Sequence, residues 1–212
     1  MAIRSPGGAY LVATTVPADP LTAVLVLHGG PEHGTARCRW WLPQVLRCRL
    51  LAVAVTHQWP TAEQPAVYRL QHAWTGWDGD GRDPIADASW ALAELGRRHP
   101  GIPVAILGHS MGGRVGVRLA GYPGVRGVVG LAPWLPSDDP VDQLAGIPVS
   151  VVQGTRDREL PATSTAEFLL RAHTAGALLA QIAVPGGGHA MIWRMRSWHR
   201  LAARQLAAIL GR

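Results

Sequence analysis

Short apolar runs alternate with helical stretches along most of this chain, and that alternation limits the folds open to it. The runs are YLVATTV at 10–16, AVLVLH at 23–28, LLAVAV at 50–55, PVAILG at 103–108, VRGVVGLA at 125–132, PVSVVQG at 148–154 and ALLAQIAV at 177–184. Most carry no polar face, so as strands they need cover on both sides. The spacing predicts helices near 36–47, 84–99, 111–121, 163–175 and 191–210 to supply it. The helix over 84–99 has Asp83 as an N-cap and Pro84 at its first position, and His99-Pro100-Gly101 ends it. Strands joined by helices in this way predict an α/β fold: a three-layer α/β/α sandwich around a mostly parallel sheet. With 212 residues, one domain over 1–212 is expected. Residues 57–83 and the stretch APWLPSDDP at 132–140 read as irregular connections, and loops at the carboxyl ends of parallel strands are where such sheets place their sites.

Composition excludes several functions. At 48% hydrophobic and 16% charged residues the chain is globular, and its apolar runs fall far short of the ~20 residues a membrane span needs. The N-terminal stretch has no continuous apolar core before a small-residue cleavage site, so a cytoplasmic location is expected. The net charge of +6 would suit nucleic acid, but all 20 basic residues are Arg, with no Lys or Asn, beside nine Trp and one Phe. That pattern matches the codon bias of a GC-rich bacterium, and the arginines form no run, so no nucleic-acid partner is expected. Cys38 and Cys48 are too few for a disulfide scaffold or a zinc site and are read as free thiols. His33, His57 and His72 have no metal-ligand spacing, and neither metal nor cofactor is expected.

The chemistry is carried by three short segments. Gly108-His109-Ser110-Met111-Gly112 fits the G-x-S-x-G nucleophile elbow, with a buried strand before it and a helical stretch after it. Small residues are required there because the turn is sharp and other backbone passes close by. A serine nucleophile needs a base, and the base needs an orienting acid, in the chain order Ser, acid, His. Asp157 follows the run PVSVVQG and His189 lies in GGGHAM after ALLAQIAVP, each just past a strand end. The oxyanion donors are then the N–H of Met111 and one from His28-Gly29-Gly30-Pro31; Pro31 has no N–H, which leaves Gly30.

With HGG at 28–30, GHSMGG at 108–113, QGTRD at 153–157 and GGGHAM at 186–191, the chain resembles the α/β-hydrolase family over nearly its full length. The resemblance implies an eight-stranded type of sheet, with or without its first antiparallel strand, and a Ser110/His189/Asp157 triad working through an acyl-enzyme. Many members insert a helical cap after the strand corresponding to 125–132; here residues 133–147 are too few for a large cap. The HGGP start is similar to that of proline iminopeptidases, which do carry a cap. APW at 132–134 is similar to a loop of cutinase-like polyester hydrolases, where the Trp flanks the cleft, so Trp134 is a candidate substrate contact.

The expected activity is hydrolysis of a small carboxylic ester or related acyl substrate. A thioesterase or acyltransferase would use the same triad, and a non-catalytic hydrolase-fold binding protein would instead resist a fluorophosphonate probe. Asp138 and Asp139 follow the preceding strand and are alternative acids to Asp157. His28 and His109 are read as packing or hydrogen-bonding beneath the oxyanion region. Trp74, Trp77, Trp134 and Trp193 are read either as cover for the sheet edge or as an aromatic cleft. Arg114 and Arg118 share a helix face and are read as a solvated stripe.

Overall fold

The computed structural model describes residues 2–160 and 162–211. Its strands are β1 (Ala2–Arg4), β2 (Tyr10–Thr15), β3 (Ala23–Leu27), β4 (Ala66–Gln71), β5 (Val104–His109), β6 (Val125–Leu131), β7 (Pro148–Gly154) and β8 (Leu178–Val184). Its helices are α1 (Pro43–Thr56), α2 (Arg82–Arg98), α3 (Met111–Arg118), α4 (Ala162–Thr174) and α5 (Met195–Leu210). The strands form one eight-stranded sheet in the order β1-β2-β4-β3-β5-β6-β7-β8. β2 runs antiparallel to both its neighbours, β1 and β4; from β4 across to β8 every pairing is parallel. The first antiparallel strand is therefore present.

Alternation along the central strands divides the core in two. Leu25, Leu27, Ile106 and Val128 face α2, α3 and α4, packing with Leu95, Val115 and Phe168. Val24, Val26, Ala105, Leu107 and Val129 face α1 and α5, packing with Leu51, Val55, Trp198 and Leu206. Three layers result, and residues 133–147 add one short 3₁₀ turn at Asp142–Leu144 rather than a cap. Among the described residues no helix is long and apolar enough to cross a membrane.

Three expectations fail here. LLAVAV at 50–55 is the second half of α1, not a strand. An apolar run is ambiguous between the two states, and nothing breaks the chain between Pro43 and Thr56 to end the helix. Val45, Cys48, Leu51, Ala52 and Val55 are buried at helical spacing, while Leu50 and Val53 lie outside, so the outward apolar residues imitate a buried strand. Conversely, AVYRLQ at 66–71, inside the supposed irregular stretch, is β4, wedged between β2 and β3. Asp83 also does not cap α2: the helix begins at Arg82 after Gly81, whose φ of 72° is left-handed, and Asp83 sits in its first turn.

Candidate active site

The chain leaves β3 toward one side of the sheet, adds β4, and returns across to β5. This reversal opens a crevice at the carboxyl ends of β3 and β5, because α1 and α3 cover opposite faces. His28–Gly30 follows β3, and Ser110 follows β5.

Ser110 stands between β5 and α3 at φ 52° and ψ −118°, a backbone conformation costly for any residue but glycine. The surroundings hold it there. A side chain at Gly108 would put its Cβ 2.2 Å from the Gly112 carbonyl oxygen, and one at Gly112 would lie 2.4 Å from that of Leu27. The Ser110 carbonyl is bound from three directions, by the N–H groups of Gly113, Arg114 and Trp134. The hydroxyl is thus presented at the sheet edge with the residue 9% exposed.

His189 Nε2 lies 2.9 Å from Ser110 Oγ, and His189 Nδ1 lies 2.9 Å from Asp157 Oδ2. Asp157 also accepts hydrogen bonds from Gln153 Nε2 at 2.8 Å and from the Glu159 N–H at 3.0 Å, so its carboxylate is fixed in both orientation and position. The three residues come from the ends of β5, β7 and β8. Asp138 and Asp139 are elsewhere: Asp138 is exposed, and Asp139 is buried in a fork with Arg114, whose Nε and Nη2 donate to it at 2.6 and 2.8 Å. Arg118 adds a contact at 3.3 Å. The reading of Arg114 and Arg118 as a solvated stripe is therefore corrected. The Arg114 guanidinium lies 3.8 Å from the Trp77 ring centroid and 4.2 Å from that of Trp134, binding both indoles through their π faces.

The N–H groups of Gly30 and Met111 have no hydrogen-bond acceptor among the described residues. They are neighbours, since a Cβ on Gly30 would fall 3.0 Å from Met111 Sδ. The same Cβ would be 2.2 Å from the Thr75 carbonyl oxygen. That contact reflects a clamp: Thr75, Gly76, Trp77 and Asp78 donate their N–H groups to the carbonyls of Ala36, Gly34, Pro31 and Glu32. The loop after β4 thereby braces the loop after β3. Beneath it, His28 Nδ1 donates to the Gly29 carbonyl at 2.7 Å and its Nε2 accepts from the His72 N–H at 3.1 Å. Burial lowers the His28 pKa to about 3, so the ring is neutral and can serve as donor and acceptor at once.

His109 supports the other side. Its Nε2 donates to the His189 carbonyl at 2.9 Å, and burial lowers its pKa to about 3. Its hydrogen bond is to the backbone of His189, while its ring packs against the loop after β3, where a Cβ on Gly29 would lie 3.0 Å from His109 Nδ1. Position next to Ser110 was the only sequence signal for this role, and for Gln153 there was none beyond its proximity to Asp157. Both cysteines are free and buried; burial raises the thiols to about 11 for Cys38 and about 12 for Cys48, leaving no thiolate nucleophile. Among the described residues no group of His, Cys, Asp and Glu is arranged to hold a metal. Of the four tryptophans, Trp77 is buried, Trp74 and Trp134 are half-buried, and Trp193 is 77% exposed.

Sheet order, elbow and strand-end loops together define the α/β-hydrolase fold. Solved structures agree along nearly the whole chain. An α/β serine hydrolase homologue from Coxiella burnetii is 18% identical, with a TM-score of 0.73 over 98% of this chain and 96% of that one. Est1E from Butyrivibrio proteoclasticus is 15% identical, with a TM-score of 0.69 over 100% and 99%. An acetyl ester-xyloside bifunctional hydrolase from Caldicellulosiruptor lactoaceticus is 13% identical, with a TM-score of 0.70 over 97% and 89%. No protein-family model matches the chain, and no curated protein matches it in sequence. At these identities the likeness is one of fold.

Proposed function

We propose that this protein is a serine hydrolase that cleaves a small carboxylic ester through an acyl-enzyme. The observation that carries the proposal is the unbroken hydrogen-bond chain Ser110–His189–Asp157, both links 2.9 Å, ending on a strained serine beside two unused N–H donors. In this reading His189 Nε2 takes the Ser110 proton as Oγ attacks the acyl carbonyl. Asp157 holds the Nδ1–H tautomer and stabilises the imidazolium. The N–H groups of Met111 and Gly30 receive the oxyanion, a contribution of about 10²–10³ in rate for one such donor. His189 returns the proton to the departing alcohol oxygen, then activates a water that releases the acid and restores Ser110.

Trp134 forms a wall of the cleft in this proposal, since its N–H binds the Ser110 carbonyl and Arg114 holds its ring. Without a large cap the cleft is open, which suits a small or extended acyl substrate reached from solvent. The ester-hydrolase name of one structural neighbour supports the same class of chemistry. The test is a panel of esters, thioesters and aminoacyl amides offered to the wild type and to Ser110→Ala. Turnover of esters that disappears in the variant supports the proposal; ester turnover that persists in it refutes the assignment of the nucleophile.

A further inference from the structure

Beside the triad lies a groove that the chemistry above leaves unused. It has a volume of about 790 Å³ and is lined by Thr155, Arg156, Arg158, Pro185, Gly186, Gly188, Trp193 and Arg194. We infer that this groove binds a phosphate carried by the leaving group, making the substrate an acyl ester or thioester of a phosphorylated alcohol or thiol. The inference rests on the triad reading and adds a requirement on the leaving group.

Three observations converge. The first is charge: of the eight lining residues three are arginines and none is acidic. None of these guanidiniums is paired with a carboxylate among the described residues, so each keeps its charge available to an anion. The second is the local fold. Asp157 turns inward to His189, and Arg156 and Arg158 on either side of it are exposed, so the turn that supplies the acid also supplies two cations. Arg156 is tied to the histidine loop by its N–H, which donates to the Gly187 carbonyl at 2.9 Å.

The third is the direction of proton flow. Since His189 hands its proton to the departing atom, the leaving group must lie on the His189 side of the acyl carbon. The groove adjoins the loop that carries this histidine, since Gly188, the residue before His189, is part of its lining. Guanidinium groups suit phosphate because their planar N–H pairs match its oxygens. Glu159 fixes where the anion can sit. Its carboxylate is 3.8 Å from His189 Nε2, outside the groove lining, and opposes negative charge at the reacting atom itself. The phosphate therefore belongs further out, among the arginines.

A matched pair of substrates isolates the phosphate: S-acetyl-4′-phosphopantetheine against S-acetylpantetheine, with 1-acetylglycerol 3-phosphate against 1-acetylglycerol as the ester pair. The wild type should favour the phosphorylated member of at least one pair by about tenfold or more in kcat/KM, and added salt should erode the preference. Arg156→Gln/Arg158→Gln/Arg194→Gln should remove it while changing turnover of the unphosphorylated member by less than about twofold. Inorganic phosphate should compete with the phosphorylated substrate alone. Equal kcat/KM within both pairs, or a preference that survives the triple variant, overturns the inference. Binding of 4′-phosphopantetheine to Ser110→Ala, measured by calorimetry, separates the two proposals. Binding lost with the arginines supports the groove even if no substrate turns over. Absent binding refutes the groove while leaving Ser110-dependent ester cleavage standing.

Discussion

Asp139→Ala should cost stability and leave the chemistry intact. Asp139 is 4% exposed and accepts two forked hydrogen bonds from Arg114, itself 11% exposed at its side chain. Removing the carboxylate strands a buried guanidinium, a loss that runs to about 3–5 kcal/mol when nothing else compensates. Here Trp77 and Trp134 still face the cation and offset about 1 kcal/mol of it, so a net loss of about 2–4 kcal/mol is expected. For a chain of this length that lowers the melting temperature by roughly 2–4 °C per kcal/mol. Asp138→Ala, at an exposed neighbour, should stay within about 0.5 kcal/mol. Equilibrium urea unfolding of both variants and of Arg114→Met/Asp139→Leu measures the effect, and the double variant should cost less than the sum of its parts. The residual folded Asp139→Ala protein should still react at Ser110. Unchanged stability would refute the buried-pair argument, and unchanged stability with abolished activity would make Asp139, not Asp157, the triad acid.

Other perturbations separate the remaining parts. Asp157→Asn should lower kcat by about 10⁴ with little change in melting temperature, because the imidazole loses its tautomer and its countercharge. Gly30→Ala should lower kcat by about 10²–10³, since its Cβ would meet the Thr75 carbonyl at 2.2 Å and push the donor loop away; kinetics on a good ester reads it directly. Stability should fall on acidification below pH 6.5. His28 and His109 stay neutral in the folded state down to about pH 3 while the unfolded chain protonates near 6.5, so the unfolded state binds more protons across that window. Each contributes a slope of about 1.4 kcal/mol per pH unit, and urea unfolding between pH 7 and pH 5 should show a shallower slope in His109→Asn.

The site was more legible in the sequence than parts of the fold. Ser110, Asp157 and His189 each stand in a short segment just beyond an apolar run, and a parallel sheet gathers such segments along one edge whatever the details between them. The run LLAVAV reads as a strand because α1 is apolar on its outer face as well as its inner one, so periodicity carries no signal. AVYRLQ gives no clear strand signal because Arg69 interrupts it and a Trp- and Gly-rich stretch follows, although its pairing with β2 and β3 is what brings residues 72–81 against the Gly30 loop. The Arg114–Asp139 fork joins residues 25 positions apart by direct hydrogen bonds, with two indole faces against the guanidinium, and no local pattern announces a contact of that kind.

Everything proposed for this protein turns on Ser110 being a nucleophile poised by His189. Intact-mass analysis after a fluorophosphonate probe tests it most directly. One adduct per chain is expected, mapped to Ser110, absent in Ser110→Ala and strongly slowed in His189→Ala. A folded wild-type protein that takes up no probe, or one labelled equally well without Ser110, would contradict it.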